Sequence, residues 1–335
     1  MGAPKPWPTR WPEPDYYPFD DDDYFEEPDY EIEDDPQEES YPLPEERIQS
    51  VTWGVTHPCN LRCVHCYDVV DYRRQDLNTV DALDVIQRLA WVGVEFVVFS
   101  GGEPLLRKDL FDLMSACQSA GMKFGMRSNA TLVTQETASI LRQLGLAVAG
   151  VSLDGATAET HDAVRGPGSF QKTMQGIAFL RAADIPVNIE VVLSRRNVHQ
   201  SLACVELVEQ LGVQEINFSA LTPQGRGAWL REDYLDYPAW REVTASLYQA
   251  SQTSKVSVSP ACALVGACVA CIEPNITCDG WVTPCYLSKR RLFHLLETPV
   301  EEFIPRLRRA RLGNLDVCGR PKWTAVKAAH VPANR

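Results

Sequence analysis

The run Val51-Thr52-Trp53-Gly54-Val55-Thr56 leads without a break into His57-Pro58-Cys59-Asn60-Leu61-Arg62-Cys63-Val64-His65-Cys66-Tyr67. Its first half is a short apolar stretch of β-branched and aromatic residues, the composition of a buried strand. Its second half sets cysteines at the spacing C-x3-C-x2-C. The chain has eleven cysteines and no basic leader running into an apolar segment. Metal ligation or catalysis therefore outranks disulfide formation as their use. Three thiolates on so short a loop can hold three irons of a cubane [4Fe–4S] cluster and leave the fourth iron without a protein ligand. Zinc is the competing reading, but a structural zinc site wants four ligands and often shows paired C-x2-C elements.

The strand pattern recurs downstream. Glu95 to Ser100, Lys123 to Ser128, Val148 to Leu153, Val187 to Leu193 and Glu215 to Leu221 are apolar runs like Val51 to Thr56, each followed by helical periodicity. Between Asp109 and Ala120, the residues Leu110, Leu113, Met114 and Cys117 share one helical face. Cys204 sits with Val205, Val208 and Leu211 in a second such stretch, so both cysteines are expected to pack in the core. The β/α alternation predicts an α/β fold of parallel strands, either a doubly wound sheet or a barrel, with ligands at the C-terminal strand ends.

With 335 residues, 45% of them hydrophobic and 23% charged, the chain can bury a full core and a small second unit. A net charge of -13 argues against a nucleic-acid groove, which needs clustered Lys and Arg. No run of about eighteen apolar residues occurs, so no membrane partner and a cytoplasmic location are expected. Residues 1–46 are Pro, Asp, Glu and Tyr with almost no aliphatic pattern, and read as a disordered acidic tail. That tail is either a solvated leader or a docking segment for a basic partner.

The cysteine motif, its place after the first strand and the segments that follow resemble the radical S-adenosylmethionine superfamily, from about Ser50 to Cys318. The resemblance implies a partial (β/α)6 barrel over residues 47–235. It also implies a [4Fe–4S] cluster on Cys59, Cys63 and Cys66, whose open iron binds the methionine part of S-adenosylmethionine. One electron then cleaves the sulfonium to a 5′-deoxyadenosyl radical that abstracts hydrogen from a substrate. Gly101-Gly102-Glu103 resembles the family's GGE motif, with Glu103 accepting from the methionine ammonium and the glycines letting backbone approach the ligand. Ser128 and Asn129 fall where relatives place polar groups near the ribose or carboxylate; Ser152 and Arg165 are candidates for the carboxylate. Val191, or Val192 beside it, is the candidate adenine contact, though plain strand core is an equal reading of that segment. His57 and His65 are assigned to packing or hydrogen bonding, and the loop Leu221 to Gly227 to the substrate side.

A second group of cysteines follows. Cys268, Cys271 and Cys285 give C-x2-C-x13-C, and Ile276 to Cys285 reads as a hairpin turning at Asp279-Gly280. This resembles the twitch and SPASM extensions of the superfamily and implies an auxiliary [4Fe–4S] cluster in residues 236–335. Cys318, after an expected helix around Val300 to Leu312, is the candidate fourth ligand, and Cys262 and Cys278 stay outside the set. Zinc on the same four thiolates remains open. Similarity along the barrel is to maturases of ribosomally made peptides and peptide-derived cofactors. The expected substrate is accordingly a peptide, with an aminosugar, nucleoside or tetrapyrrole as the alternative, and the expected reductant a flavodoxin or ferredoxin. A non-catalytic iron–sulfur or zinc-binding protein is the reading from another class.

Overall fold

The computed structural model describes residues 48–67, 75–222, 224–260, 273–284, 286 and 290–312. The acidic segment 1–46 and Cys262, Cys268, Cys271, Cys285 and Cys318 lie outside the described residues.

The six strands expected from the sequence are present, with ends shifted by at most a residue. They are β1 (Ser50–Thr56), β2 (Phe96–Gly101), β3 (Lys123–Ser128), β4 (Val148–Ser152), β5 (Val187–Leu193) and β6 (Glu215–Ala220), paired in parallel in that order. Helices cross between them: α1 (Thr79–Trp91), α2 (Leu110–Ser119), α3 (Gln135–Gln143), α4 (Ala158–Arg165), α5 (Ser169–Ala182) and α6 (Ser201–Gln210). Side-chain caps from Asn78, Thr134 and Thr157 accept backbone N–H groups at the starts of α1, α3 and α4.

Past residue 235 the alternation runs on. Helix α7 (Tyr237–Thr253) leads to β7 (Ser257–Pro260), which joins β6 in parallel. Strands β8 (Asn275–Ile276), β9 (Trp281–Thr283) and β10 (Phe293–His294) extend the other edge, and α8 (Phe303–Leu312) follows. β8 and β9 form the expected hairpin, turning where Gly280 takes φ +85°. The sheet order is β10-β9-β8-β1-β2-β3-β4-β5-β6-β7, an unclosed sheet with the form of a partial barrel.

The core lies between the sheet and the helices. Trp53, Phe99, Phe124, Met126, Val151, Ile189 and Phe218 from the strands meet Ile86, Leu113, Ile177 and Val208 from the helices. Cys117 and Cys204 are buried among them as expected, and burial pushes both thiols up to about 12. Among the described residues, no helix is long and apolar enough to cross a membrane.

Candidate active site

The C-terminal ends of the strands surround one cavity of about 1010 Å³, and Cys59, Cys63 and Cys66 all line it. The loop bearing them is built by backbone contacts from several elements. A register irregularity between Gly54 and Thr56 ends β1 and turns the chain across the end of β2. There the Gly102 and Glu103 N–H groups donate to Thr56 O (2.8 Å) and Pro58 O (2.9 Å). A Cβ at Gly101 would lie 2.3 Å from Thr56 O, and one at Gly102 would lie 2.1 Å from Pro58 O. The glycines are therefore demanded by the cysteine loop itself, which crosses them at backbone contact.

The other side of the loop is gripped by the segment after β6. Arg226 N–H donates to Cys66 O at 2.9 Å, and its guanidinium to Cys63 O at 2.8 Å. Gly225 at φ +54° passes so near that a Cβ would sit 2.4 Å from Cys66 O. The Val64 N–H donates to Val164 O of α4 at 2.9 Å, and Asp76 accepts from the Thr56 hydroxyl and the His57 N–H. The segment expected to face substrate thus also clamps the cysteines.

Glu103 is fully buried and does not line the cavity. Its oxygens accept from the Ser128 hydroxyl (2.8 Å), Asn129 N–H (3.0 Å) and Leu105 N–H (3.3 Å). Burial raises its pKa and these hydrogen bonds oppose that. Its observed work is to fix the end of β3, so that Ser128 and Asn129 face the cavity and the Asn129 amide meets Asn60 at 2.9 Å.

Behind Cys63 lies a charged knot. Arg165 donates to Asp154 at 2.6 Å, and its Nη1 stands 3.9 Å from Cys63 Sγ. His65 Nε2 is 3.1 Å from the same carboxylate, and the Val192 N–H donates to its other oxygen at 2.7 Å. Burial alone would raise the Asp154 pKa, but Arg165 and His65 hold the carboxyl well below the usual range. Burial also pushes the Cys59 and Cys63 thiols up, with Arg165 acting in the opposite direction.

Gly101, Gly102, Ser128, Asn129, Ser152 and Arg165 line the same cavity as the cysteines. Val191 points into the core at 1% exposure; Val192 lines the cavity in its place. Cys268, Cys271, Cys285 and Cys318 lie outside the described residues, while Cys278 is buried in the hairpin turn. Asp154, Arg226, Asp76 and Tyr286 are cavity or clamp residues the sequence did not single out for these tasks. Only Asp154 and Arg226 had a local signal, being charges set beside glycine at strand ends.

Residues 53–223 match the Radical SAM superfamily, just over half of the chain. The chain belongs to the radical SAM superfamily. It is 35% identical to the AdoMet-dependent heme synthase of Methanosarcina barkeri over 64% of this chain and 61% of that protein. It is 37% identical to the mycofactocin maturase MftC of Mycobacterium tuberculosis over 53% of this chain and 46% of that one. The match thus spans about half to three-fifths of these relatives. Streptococcus suis SuiB, solved with its precursor peptide SuiA, shares the fold with TM-score 0.67 at 15% identity, covering 78% of this chain and 66% of SuiB. Radical SAM members are enzymes, and the family implies a [4Fe–4S] cluster and S-adenosylmethionine as cofactors.

The residues fit that pair. Three thiols and no other soft ligand sit on the cavity-lining loop. Among the described residues, no three His, Cys, Asp or Glu groups converge as one metal ion would need. A cubane, by contrast, takes each thiolate on a different iron.

Proposed function

We propose that this chain holds its [4Fe–4S] cluster on Cys59, Cys63 and Cys66 and abstracts hydrogen from a peptide in natural-product or cofactor biosynthesis. The observation that carries the reading is that these cysteines and the polar strand ends share one cavity large enough for cosubstrate and substrate together. The bound cofactor pair supplies a 5′-deoxyadenosyl radical after one-electron reduction.

The chain supplies position. Gly102, Glu103 and Arg226 fix the loop backbone, so the thiolates are held before the cluster arrives. Arg165, already anchored by Asp154, brings its guanidinium to the cavity wall for the methionine carboxylate. Ser128, Asn129 and Ser152 offer polar contacts to cosubstrate, and Val192 an apolar one to adenine. Gly101 and Gly102 leave only backbone at the cavity wall there. Tyr67 and Tyr286, packed edge to face at 5.7 Å, wall the cavity and help exclude water. An auxiliary [4Fe–4S] cluster on Cys268, Cys271, Cys285 and Cys318 would take up an electron from the substrate radical, with flavodoxin or ferredoxin as reductant in the cytoplasm.

Similarity to MftC, named a maturase, supports the peptide reading, as does the fold shared with a protein solved with its precursor peptide. Similarity to the heme synthases supports the second reading, a tetrapyrrole or other small molecule. Anaerobic reconstitution should load about eight irons, four per cubane, and Cys59→Ala should remove the share held by the loop. Reduction with S-adenosylmethionine should release 5′-deoxyadenosine. A colourless protein that binds only zinc would overturn the proposal. Cross-linking to a candidate precursor peptide, against competition by an iron porphyrin, separates the two substrate readings.

A further inference from the structure

The inner face of the half-barrel is built in rungs. Pairing between strands sets Arg127, Gly150, Asn188 and Glu215 side by side across β3 to β6, and above them Ser152, Glu190 and Asn217 across β4 to β6. A third rung, Val192 and Ser219, is next to the rim. Successive rungs are about 6.6 Å apart at two residues of strand each. Arg127, Ser152, Asn188, Glu190, Val192, Glu215, Asn217 and Ser219 all line the cavity. Barrel interiors are ordinarily filled by branched apolar side chains; here they are replaced by carboxylates and amides.

The charges on this floor do not balance. Arg127 donates to Glu190 Oε1 at 2.9 Å, reaches the Thr52 hydroxyl, and lies 5.9 Å from the Tyr286 ring centre. That guanidinium is committed. Among the described residues, Glu215 has only the amide of Asn217, at 3.0 Å. Asn188 Oδ1 is buried without a hydrogen-bond partner among the described residues, an acceptor whose desolvation goes uncompensated. At Gly150 a Cβ would come 3.0 Å from Glu190 Oε1 and 3.2 Å from Asn188 Oδ1, so a larger residue there would crowd that pair. Among the described residues, two carboxylates, one committed cation and an unpartnered acceptor make a surface with a surplus of negative charge and acceptors.

We propose that Asn188, Glu190, Glu215 and Asn217 form the specificity subsite of this cavity and receive a cationic, hydrogen-bond-donating group of the substrate, an ammonium or a guanidinium. This rests on the cavity being the substrate chamber of the radical SAM reaction. The subsite lies toward the N-terminal ends of β5 and β6, away from the cysteines, so it selects and orients substrate without touching the reacting atoms.

The test uses the full chain, reconstituted anaerobically and saturated with S-adenosylmethionine, titrated calorimetrically with Nα-acetylargininamide and with Nα-acetylcitrullinamide, its neutral isostere. Nα-acetylargininamide should bind about ten-fold more tightly, a difference of about 1.4 kcal/mol. Glu215→Gln should erase the preference, and Glu215→Lys should reverse it in favour of N-acetylglutamate. Equal binding of the isosteres, binding of neither, or an unchanged preference in Glu215→Gln overturns the inference. If the wild type then still releases 5′-deoxyadenosine, the radical SAM reading stands without it; if it holds no cluster, that reading has failed separately.

Discussion

The rim and the floor of the cavity are made of the same strands and obey opposite rules. At the rim, backbone groups of the cysteine loop are met by backbone from β2, α4 and the segment after β6, and Glu103 spends its hydrogen bonds on the end of β3 and on its own turn at Leu105. On the floor, side chains dominate, and Asn188 has an acceptor with nothing to accept among the described residues. A rim saturated internally is rigid before any ligand binds, which is what fixed positions for thiolates require. A floor with a surplus of acceptors stabilises its ligand instead of itself, because a partner arriving there satisfies groups the fold left wanting.

The comparison is broken most severely at Gly102. Its virtual Cβ lies 2.1 Å from Pro58 O and 2.4 Å from His57 O, both backbone, so Gly102→Ala must displace the cysteine loop. Iron uptake by that loop and its visible charge-transfer absorbance should be lost. Gly54→Ala is the control, since its Cβ would meet Ile276 O at 3.5 Å, an ordinary contact, and iron content should stay near wild type. If Gly102→Ala loads iron normally, the rim is not preset by packing.

Next in size is Glu103→Ala. It strands two backbone N–H groups and the Ser128 hydroxyl in a site with no water access. At roughly 1–3 kcal/mol for each buried group left unpaired, the loss should be about 3 kcal/mol or more in urea unfolding of the apoprotein. Glu103→Gln, which keeps an acceptor oxygen, should lose less. A wild-type midpoint in Glu103→Ala would mean the carboxylate is not structural.

How far this division could be read from the sequence differs between its halves. The six strands were legible because each is a compact apolar run before a helical repeat. The seventh, β7, was not, since Ser257-Val258-Ser259-Pro260 is short and alternating, as fits an edge strand. The cysteines and Gly101-Gly102 were legible as a site, but the packing reason for the glycines was not. Only the folded chain shows the Thr56–Pro58 backbone lying across them. The clamp by Arg226 joins residues 163 positions apart, which no local pattern reports. The floor did leave a signal: Asn188 and Glu190 alternate with core residues in β5, as do Glu215, Asn217 and Ser219 in β6. Period-two polarity in strands covered outside by helices means that the inner face meets a wet chamber.

The smallest effect concerns the charged knot behind the rim, and its sign follows from His161. The ring is fully buried, with Nδ1 accepting the Asp154 N–H at 3.2 Å and Nε2 without a partner among the described residues. Burial, with Arg165 and His65 adding to it, outweighs Asp154 and Asp162 and lowers the pKa from 6.5 to about 4. The unfolded chain therefore binds the proton first. Stability from this group is fully present above about pH 6.5 and falls as the pH drops toward 4, by about 2 kcal/mol between pH 7 and pH 5. Asp154, held well below the carboxylate range by Arg165 and His65 despite its burial, titrates beneath that window. Urea unfolding of the apoprotein at the two pH values should show the drop, and His161→Gln should flatten the slope while lowering stability at pH 7. An unchanged slope in His161→Gln would place the acid sensitivity in another group and leave the rim's charge knot indifferent to its buried imidazole.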